Sequence, residues 1–271
     1  MRLLLLGNLG LLLVATALLL GRPEGPRWQW PNGDAVHGTE RRGTVQWIDG
    51  RHYVGSFAGL LPDGRGVLRW PDGARYEGEF ADGRPHGLGT FTRADGLRYR
   101  GRFVAGRIDG NGVLEGDFGS YRGAFVGGVP EGRGALRASD GNRYVGDFAA
   151  GVPHGTGRFD LAAGPTLRGY FSVGRPRGAI EVLYPDGGRY RGAWRGERTG
   201  SGAMRWPDGR RYSGRWADDL PQGSGSFTWP DGRRWIGDAS AGVPTGSGWC
   251  VGLSAPRRCD AVEVLGDAGA P

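Results

Sequence analysis

Residues 76–98 read YEGEFADGRPHGLGTFTRADGLR, and this stretch decides the fold because its skeleton returns along most of the chain. The opening Tyr76-x-Gly78-x-Phe80 reappears as Tyr53-x-Gly55-x-Phe57, Tyr99-x-Gly101-x-Phe103, Tyr121-x-Gly123-x-Phe125 and Tyr144-x-Gly146-x-Phe148, at intervals of 22 or 23 residues. The register continues through Leu167-x-Gly169-x-Phe171, Tyr190-x-Gly192-x-Trp194, Tyr212-x-Gly214-x-Trp216 and a decayed Trp235-x-Gly237-x-Ala239. A second glycine pair follows in most units, as in Gly64/Gly66 and Gly87/Gly89, with Ile180 standing for the second member after Gly178. An Asp-Gly pair usually closes the unit, often behind Trp-Pro as in Trp70-Pro71-Asp72-Gly73. Gly116-Asp117 and Ala163-Gly164-Pro165 take its place in two units.

Side chains alternate with period two along a strand, so the Tyr, Gly and Phe of each motif share one face. Gly66, Leu68 and Trp70 of the return segment do the same. The glycine between Tyr and Phe is expected to keep its place because a side chain there would meet an opposing ring. Asp-Gly pairs are read as the source of positive φ in tight turns, and segments such as Gly83-Arg84-Pro85 as the connection at the other end. Each unit is then a β-hairpin. A lone hairpin is marginal in water, whereas stacked hairpins pair their edges and bury a continuous aromatic row. The predicted fold class is all-β, an elongated single-layer antiparallel sheet of tandem hairpins with roughly sixteen strands, preceded by one N-terminal hydrophobic helix.

Composition agrees once the period is seen. Glycine supplies 56 of 271 residues and proline 17, a level that without periodicity would suggest disorder. Aromatic residues reach 11%, which an ordered core has to bury. All 35 basic residues are arginine, and the net charge of +7 is scattered rather than blocked. Such a surface attracts anionic partners or is simply solvated.

Leu3 to Leu20 is almost entirely apolar, with Arg2 before it and Gly21-Arg22-Pro23 after it. As a helix it would span about 27 Å, close to a bilayer core. It reads as a signal anchor or signal peptide. Cleavage after Ala15-Thr16-Ala17 would leave Leu18-Leu19-Leu20 at the new terminus, which favours the anchor. The repeats are expected on the periplasmic or extracellular side of a bacterial envelope, and secreted or periplasmic if the segment is cleaved. Cys250 and Cys259, the only cysteines, are expected to form one disulfide in that oxidising compartment. The domain reading is 1–21 targeting segment, 22–46 N-terminal cap with a partial repeat, 47–249 repeat array, and 250–271 C-terminal cap and tail.

The pattern Tyr-x-Gly-x-Phe-x-x-Gly-x-x-x-Gly-x-Gly with a trailing Asp-Gly closely resembles the MORN repeat, membrane occupation and recognition nexus, with about eight copies over residues 47–249. The resemblance implies an open antiparallel sheet used for protein scaffolding, self-association through sheet ends and, in some members, association with anionic phospholipid. It implies no catalysis. The repeat positions Tyr53, Gly55, Phe57 and their equivalents through Tyr212, Gly214 and Trp216 are packing residues, so specificity falls to what varies between repeats. Those are notably arginines: Arg75, Arg98, Arg100, Arg122, Arg143, Arg168, Arg189, Arg191, Arg211 and Arg234, with Arg102 and Arg215, share the face opposite the aromatics.

They form either a basic ribbon for anionic lipid or polysaccharide, or a solvated face balanced by Glu77, Glu79, Asp147 and Asp238. His86 and His154 occupy equivalent positions ~29 Å apart and cannot share a metal ion. No catalytic residue, metal or cofactor is assigned, and nucleic acid is not an expected partner. The favoured function is a scaffold for another protein. Anionic lipid or polysaccharide binding is the alternative, and a small hydrolase hidden in the groove the least favoured.

Overall fold

The computed structural model describes residues 41–252 and 255–265. The targeting segment and helix expected over 1–21 and most of the 22–46 cap lie outside the described residues.

The chain divides into two compact units at Val152 and Pro153. The first holds β1 (Arg41–Gln46), β2 (His52–Ala58), β3 (Leu61–Arg69), β4 (Arg75–Ala81), β5 (Arg84–Thr92), β6 (Arg98–Val104), β7 (Arg107–Gly116), β8 (Gly119–Val126), β9 (Val129–Ala138) and β10 (Arg143–Ala149). Each pairs antiparallel with the next in sequence, with no crossover. The second holds β11 (Val152–Asp160), β12 (Thr166–Ser172), β13 (Arg175–Leu183), β14 (Arg189–Trp194), β15 (Arg198–Arg205), β16 (Arg211–Ala217), β17 (Leu220–Thr228), β18 (Arg234–Ser240), β19 (Val243–Val251) and β20 (Arg257–Asp260), ending in a single turn of helix, α1 (Ala261–Leu265). These strands also pair in sequence order. The fold is therefore all-β and antiparallel, with twenty strands among the described residues. The four strands beyond the sixteen expected are β18 and β19 of the decayed Trp235 unit, β1, and the closing β20, which the tail sequence did not announce.

In the first unit the inner face carries an unbroken file of rings. Tyr53 meets Phe57 of its own strand at 5.1 Å and Phe80 of the next repeat at 4.8 Å, both edge to face. Tyr76 repeats this with Phe80 and Phe103, Tyr99 with Phe103 and Phe125, and Tyr121 with Phe125 and Phe148. Such pairs contribute about 0.5–1.5 kcal/mol each beyond area burial, so each repeat is tied to the next. In the second unit Trp194 and Trp216 stand for Phe, and Tyr190 meets Trp216 at 5.3 Å.

The glycine between Tyr and Phe has a different neighbour from the one expected. A Cβ on Gly55 or on its cross-strand partner Gly66 would collide with the side chain of Tyr53, the residue two positions before Gly55. The tyrosine folds back over its own strand and covers both glycines. The ring nearest that position belongs to the same strand.

The two members of the second glycine pair do different work. Gly64 has φ +80°, and Gly66 lies under the ring. Around Gly64 the ladder slips: Gly55 faces Gly66 and Phe57 faces Pro62, leaving Ser56 opposite the bulge. The Tyr53 hydroxyl donates to the Ser56 carbonyl at 2.7 Å. The same bond recurs from Tyr76 to Glu79, Tyr99 to Arg102, Tyr121 to Ala124, Tyr144 to Asp147, Tyr190 to Ala193 and Tyr212 to Arg215.

The turns divide positive φ differently between the two ends of each hairpin. At Trp70-Pro71-Asp72-Gly73 only the glycine has positive φ (+86°); Gly73 donates to the Trp70 carbonyl, and Asp72 accepts the Ala74 N–H at 2.9 Å. This is a type I turn closed by a glycine bulge, with the aspartate acting as an acceptor. The two-residue turns with positive φ at both centres lie at the opposite end, at Asp82-Gly83, Ala105-Gly106 and Val173-Gly174. Their glycines donate to the carbonyl beneath, as Gly83 does to Pro62 and Gly106 to Pro85.

Candidate partner-binding face

The structural tyrosines Tyr53, Tyr76, Tyr99, Tyr121, Tyr144, Tyr190 and Tyr212 are all buried, as are Phe80, Phe103, Phe125, Phe148, Trp194 and Trp216, with Phe57 half-buried. Burial pushes the phenols of Tyr53, Tyr99, Tyr121, Tyr144 and Tyr190 up to about 12, with neighbouring carboxylates such as Asp63 and Glu131 adding to the shift at Tyr53 and Tyr121. The inner face is thus used up in packing.

The outward face of the first unit keeps open space. Gly55, Gly66, Gly78, Gly89, Gly101, Gly112, Gly123 and Gly134 pair across successive strands, forming one row of bare backbone. One wall of the resulting groove is the cross-strand row Val54, Val67, Glu77, Thr90, Arg100, Val113 and Arg122. The other includes Arg65, Glu79, Leu88, Arg102 and Asn111. Two hollows of about 770 and 660 Å³ share Leu88 and run from Arg42 to Gly123. Leu88 and Val54 are 67% and 42% exposed, so apolar surface is presented here. The groove was missed in the sequence because its floor consists of glycines already assigned to packing.

The ten arginines singled out from the sequence are all exposed, but the structure divides them. In the first unit Arg75 pairs with Glu77 at 2.6 Å, Arg98 stands opposite Glu115, and Arg100 and Arg122 flank Val113 in the groove wall. Arg143 faces Arg137. In the second unit Glu181 gathers Arg168 at 3.9 Å, Arg191 at 2.9 Å and Arg189. Burial raises the Glu181 carboxyl pKa, but hydrogen bonds from Arg189 and Arg191 outweigh it and hold the group below the usual carboxylate range.

Beyond Glu181 lies a trough of about 460 Å³ where Arg189, Arg205 and Arg211 are direct cross-strand neighbours and Arg234 donates to Ser226 at 2.8 Å. Arg205 was not singled out because it ends a return strand rather than preceding a tyrosine; register alone brings it between the other two.

His154 contacts the Tyr170 hydroxyl at 3.3 Å, and the His86 backbone carbonyl accepts from Tyr76. Among the described residues no three His, Cys, Asp or Glu side chains gather into a metal-holding group. Cys250 and Cys259 are joined as a disulfide between β19 and β20, with Cα atoms 5.9 Å apart.

Tandem hairpins that bury one face against their neighbours and leave the other unpaired define a repeat protein built for interaction. The chain belongs to the MORN repeat family: the family model for the MORN repeat matches residues 53–75, 76–98, 99–117, 121–143, 144–166, 190–210 and 212–233. The unmatched interval falls on the unit where Leu167 and Ile180 replace tyrosine and glycine. No curated protein matches the chain in sequence. Among solved structures it is similar to the TCP domain of Drosophila melanogaster SAS-4 in complex with a proline-rich motif of Ana2. The identity is 10% and the TM-score 0.31, with 86% of this chain and 96% of that chain covered. It is also similar to a mutant TCP10 domain of Danio rerio CPAP, with 13% identity and a TM-score of 0.28, over 75% of this chain and 92% of that chain.

Proposed function

We propose that this protein is a non-catalytic scaffold that holds an extended segment of a partner protein in the glycine-floored groove of its first unit. The observation that carries the reading is the unbroken row of paired glycines, sealed by tyrosine rings on the inner side and uncovered outside. Walls set two residues apart along each strand leave a slot ~6.7 Å wide, the scale of an extended main chain. Val54, Val67, Leu88 and Val113 supply apolar contact, and Glu77, Arg100 and Arg122 supply charges of both signs that fix register. The apolar segment Leu3 to Leu20 supports presentation of the groove at a membrane, with the repeats on the far side.

The test is crosslinking and affinity capture of the full-length protein from native membranes, read by mass spectrometry beside the Leu88→Glu/Val113→Glu variant. One dominant protein captured by the wild type and lost by the variant is the expected result. Equal capture by both, or no enriched protein, overturns the proposal. Deleting residues 1–21 is expected to shift the protein out of the membrane fraction while leaving capture from solubilised extract unchanged.

A further inference from the structure

We infer that the arginine trough of the second unit is a second docking point, for a short carboxylate-rich segment of a protein partner; the inference rests on the scaffold reading. Arg189, Arg205 and Arg211 stand side by side on β14, β15 and β16, and Arg234 follows on β18 beyond Thr228. Like charges directly opposite each other oppose sheet formation. The first unit holds only isolated facing pairs at this position, Arg69 with Arg75 and Arg137 with Arg143, and places Glu115 and Ser120 between Arg98 and Arg137, whereas here three arginines adjoin without a break. Among the described residues Arg205 and Arg211 have no ion pair. The turn carboxylates nearest in sequence, Asp208 and Asp231, are taken by Arg210 and Arg233. Glu181 is shared by Arg168, Arg191 and, from the row itself, Arg189. Arg205 and Arg211 therefore face solvent unneutralised, flanked by Arg189 on Glu181 and by Arg234, which donates to Ser226.

Beside the row the side chains shrink to Ala203, Ser213 and Ser226, which opens the trough and adds hydroxyl donors. Guanidinium groups bind carboxylates in bidentate fashion, and hydroxyls complete the oxygen's hydrogen bonds. The extent of the patch selects the ligand. It spans β14 to β18, roughly 19 Å at strand spacing, with Leu183 at one end and Val251 at the other. A nucleic acid or an anionic bilayer presents charge over a broader front and draws affinity from many distributed contacts. A bounded row fits about six residues of extended acidic peptide.

The test is fluorescence anisotropy of the whole chain with a labelled Asp/Glu-rich peptide and its Asn/Gln counterpart, using Arg205→Glu/Arg211→Glu and, as control, Arg137→Glu/Arg143→Glu, an exposed facing pair outside the groove. The acidic peptide is expected to bind and to weaken steeply with salt. The trough variant should lose about tenfold or more in affinity and the control less than about twofold, while the neutral peptide does not bind. Arg205→Gln/Arg211→Gln, which removes charge without reversing it, should lose affinity in the same direction, and circular dichroism checks that each variant is folded.

Failure of the acidic peptide to bind, equal loss in trough and control variants, or tighter trough-dependent binding of phosphatidylserine vesicles or polyphosphate overturns the inference. Capture of the same partner by wild type and by the trough variant also overturns it while leaving the scaffold reading intact. Absence of any captured protein counts against the scaffold reading itself.

Discussion

The Thr245 hydroxyl donates to the Asp238 carbonyl at 3.2 Å, filling the role that a tyrosine hydroxyl fills in the seven repeats that carry one. Trp235 occupies the tyrosine position there; its ring covers Gly237 and Gly248, but its Nε1 is buried without a hydrogen-bond partner. Bulge carbonyl and ring-face contact are thus separable functions, supplied by one residue in most repeats and by two here. Thr245→Val is expected to cost about 1 kcal/mol in the wild type and close to nothing in a Trp235→Tyr background, where the phenol reaches the carbonyl. Denaturant titration of the four proteins in this cycle decides it; equal losses in both backgrounds would sink the equivalence.

The ring-over-glycine contact makes a steric prediction. A Cβ on Gly112 would lie 2.4 Å from the Tyr99 ring, so Gly112→Ala should destabilise the first unit by about 1–3 kcal/mol through overpacking. Tyr99→Leu alone should cost about 2–5 kcal/mol through lost contact and the space left behind. Combined, the two should cost less than their sum. The chain contains this compensation in the unit where Leu167 replaces tyrosine, since Ile180 then stands opposite Gly169 in place of the second glycine. Strict additivity in thermal or denaturant unfolding would contradict the account.

The hairpins, their period and the packed face were legible because alternation and a fixed interval reveal which residues share a side. What stayed illegible depends on φ and register. Gly64 and Gly66 look alike in sequence, yet one is required by positive φ and the other by a ring lying across it. Asp-Gly marks the closing turns, where only the glycine takes positive φ, whereas both centres take it at Asp82-Gly83, Ala105-Gly106 and Val173-Gly174, the last two with no turn signature of their own. The arginine row appears only when Arg205, far from any tyrosine motif, is placed by pairing between Arg189 and Arg211. The exposed groove lies on the other side of the same strands, where Val54, Leu88 and Val113 alternate with the inward-facing glycines.

The buried phenols predict alkaline unfolding. Tyr53, Tyr99, Tyr121, Tyr144 and Tyr190 are held neutral up to about 12 against an ordinary value of 10.0, chiefly by burial. A folded pKa raised above the unfolded one means that the contribution is complete below pH 10 and is lost between about 10 and 12. Arginine does not titrate below that range, so the loss reports the tyrosines. Phenolate absorbance and the far-ultraviolet dichroism signal are expected to change together in this window. Phenolate formation near pH 10 with the β-signal intact would place the rings in solvent, contrary to the structure.

The disulfide predicts a local rather than a global effect. Cys250 and Cys259 close a loop nine residues apart in sequence and tie β20 to β19, where Gly248 faces Cys259. Cys259 and Ala261 are buried, so strand and helical turn cap the last hairpin together. Constraint of a loop this short contributes about 2–3 kcal/mol. Because each hairpin mainly contacts its neighbours, that loss should be confined to the end of the second unit. In the Cys250→Ser/Cys259→Ser variant, hydrogen exchange should rise in β20 and α1, then in β19, while β2 to β9 keep wild-type protection. Exchange that rises evenly through the first unit as well would show one long cooperative structure in place of nearest-neighbour coupling.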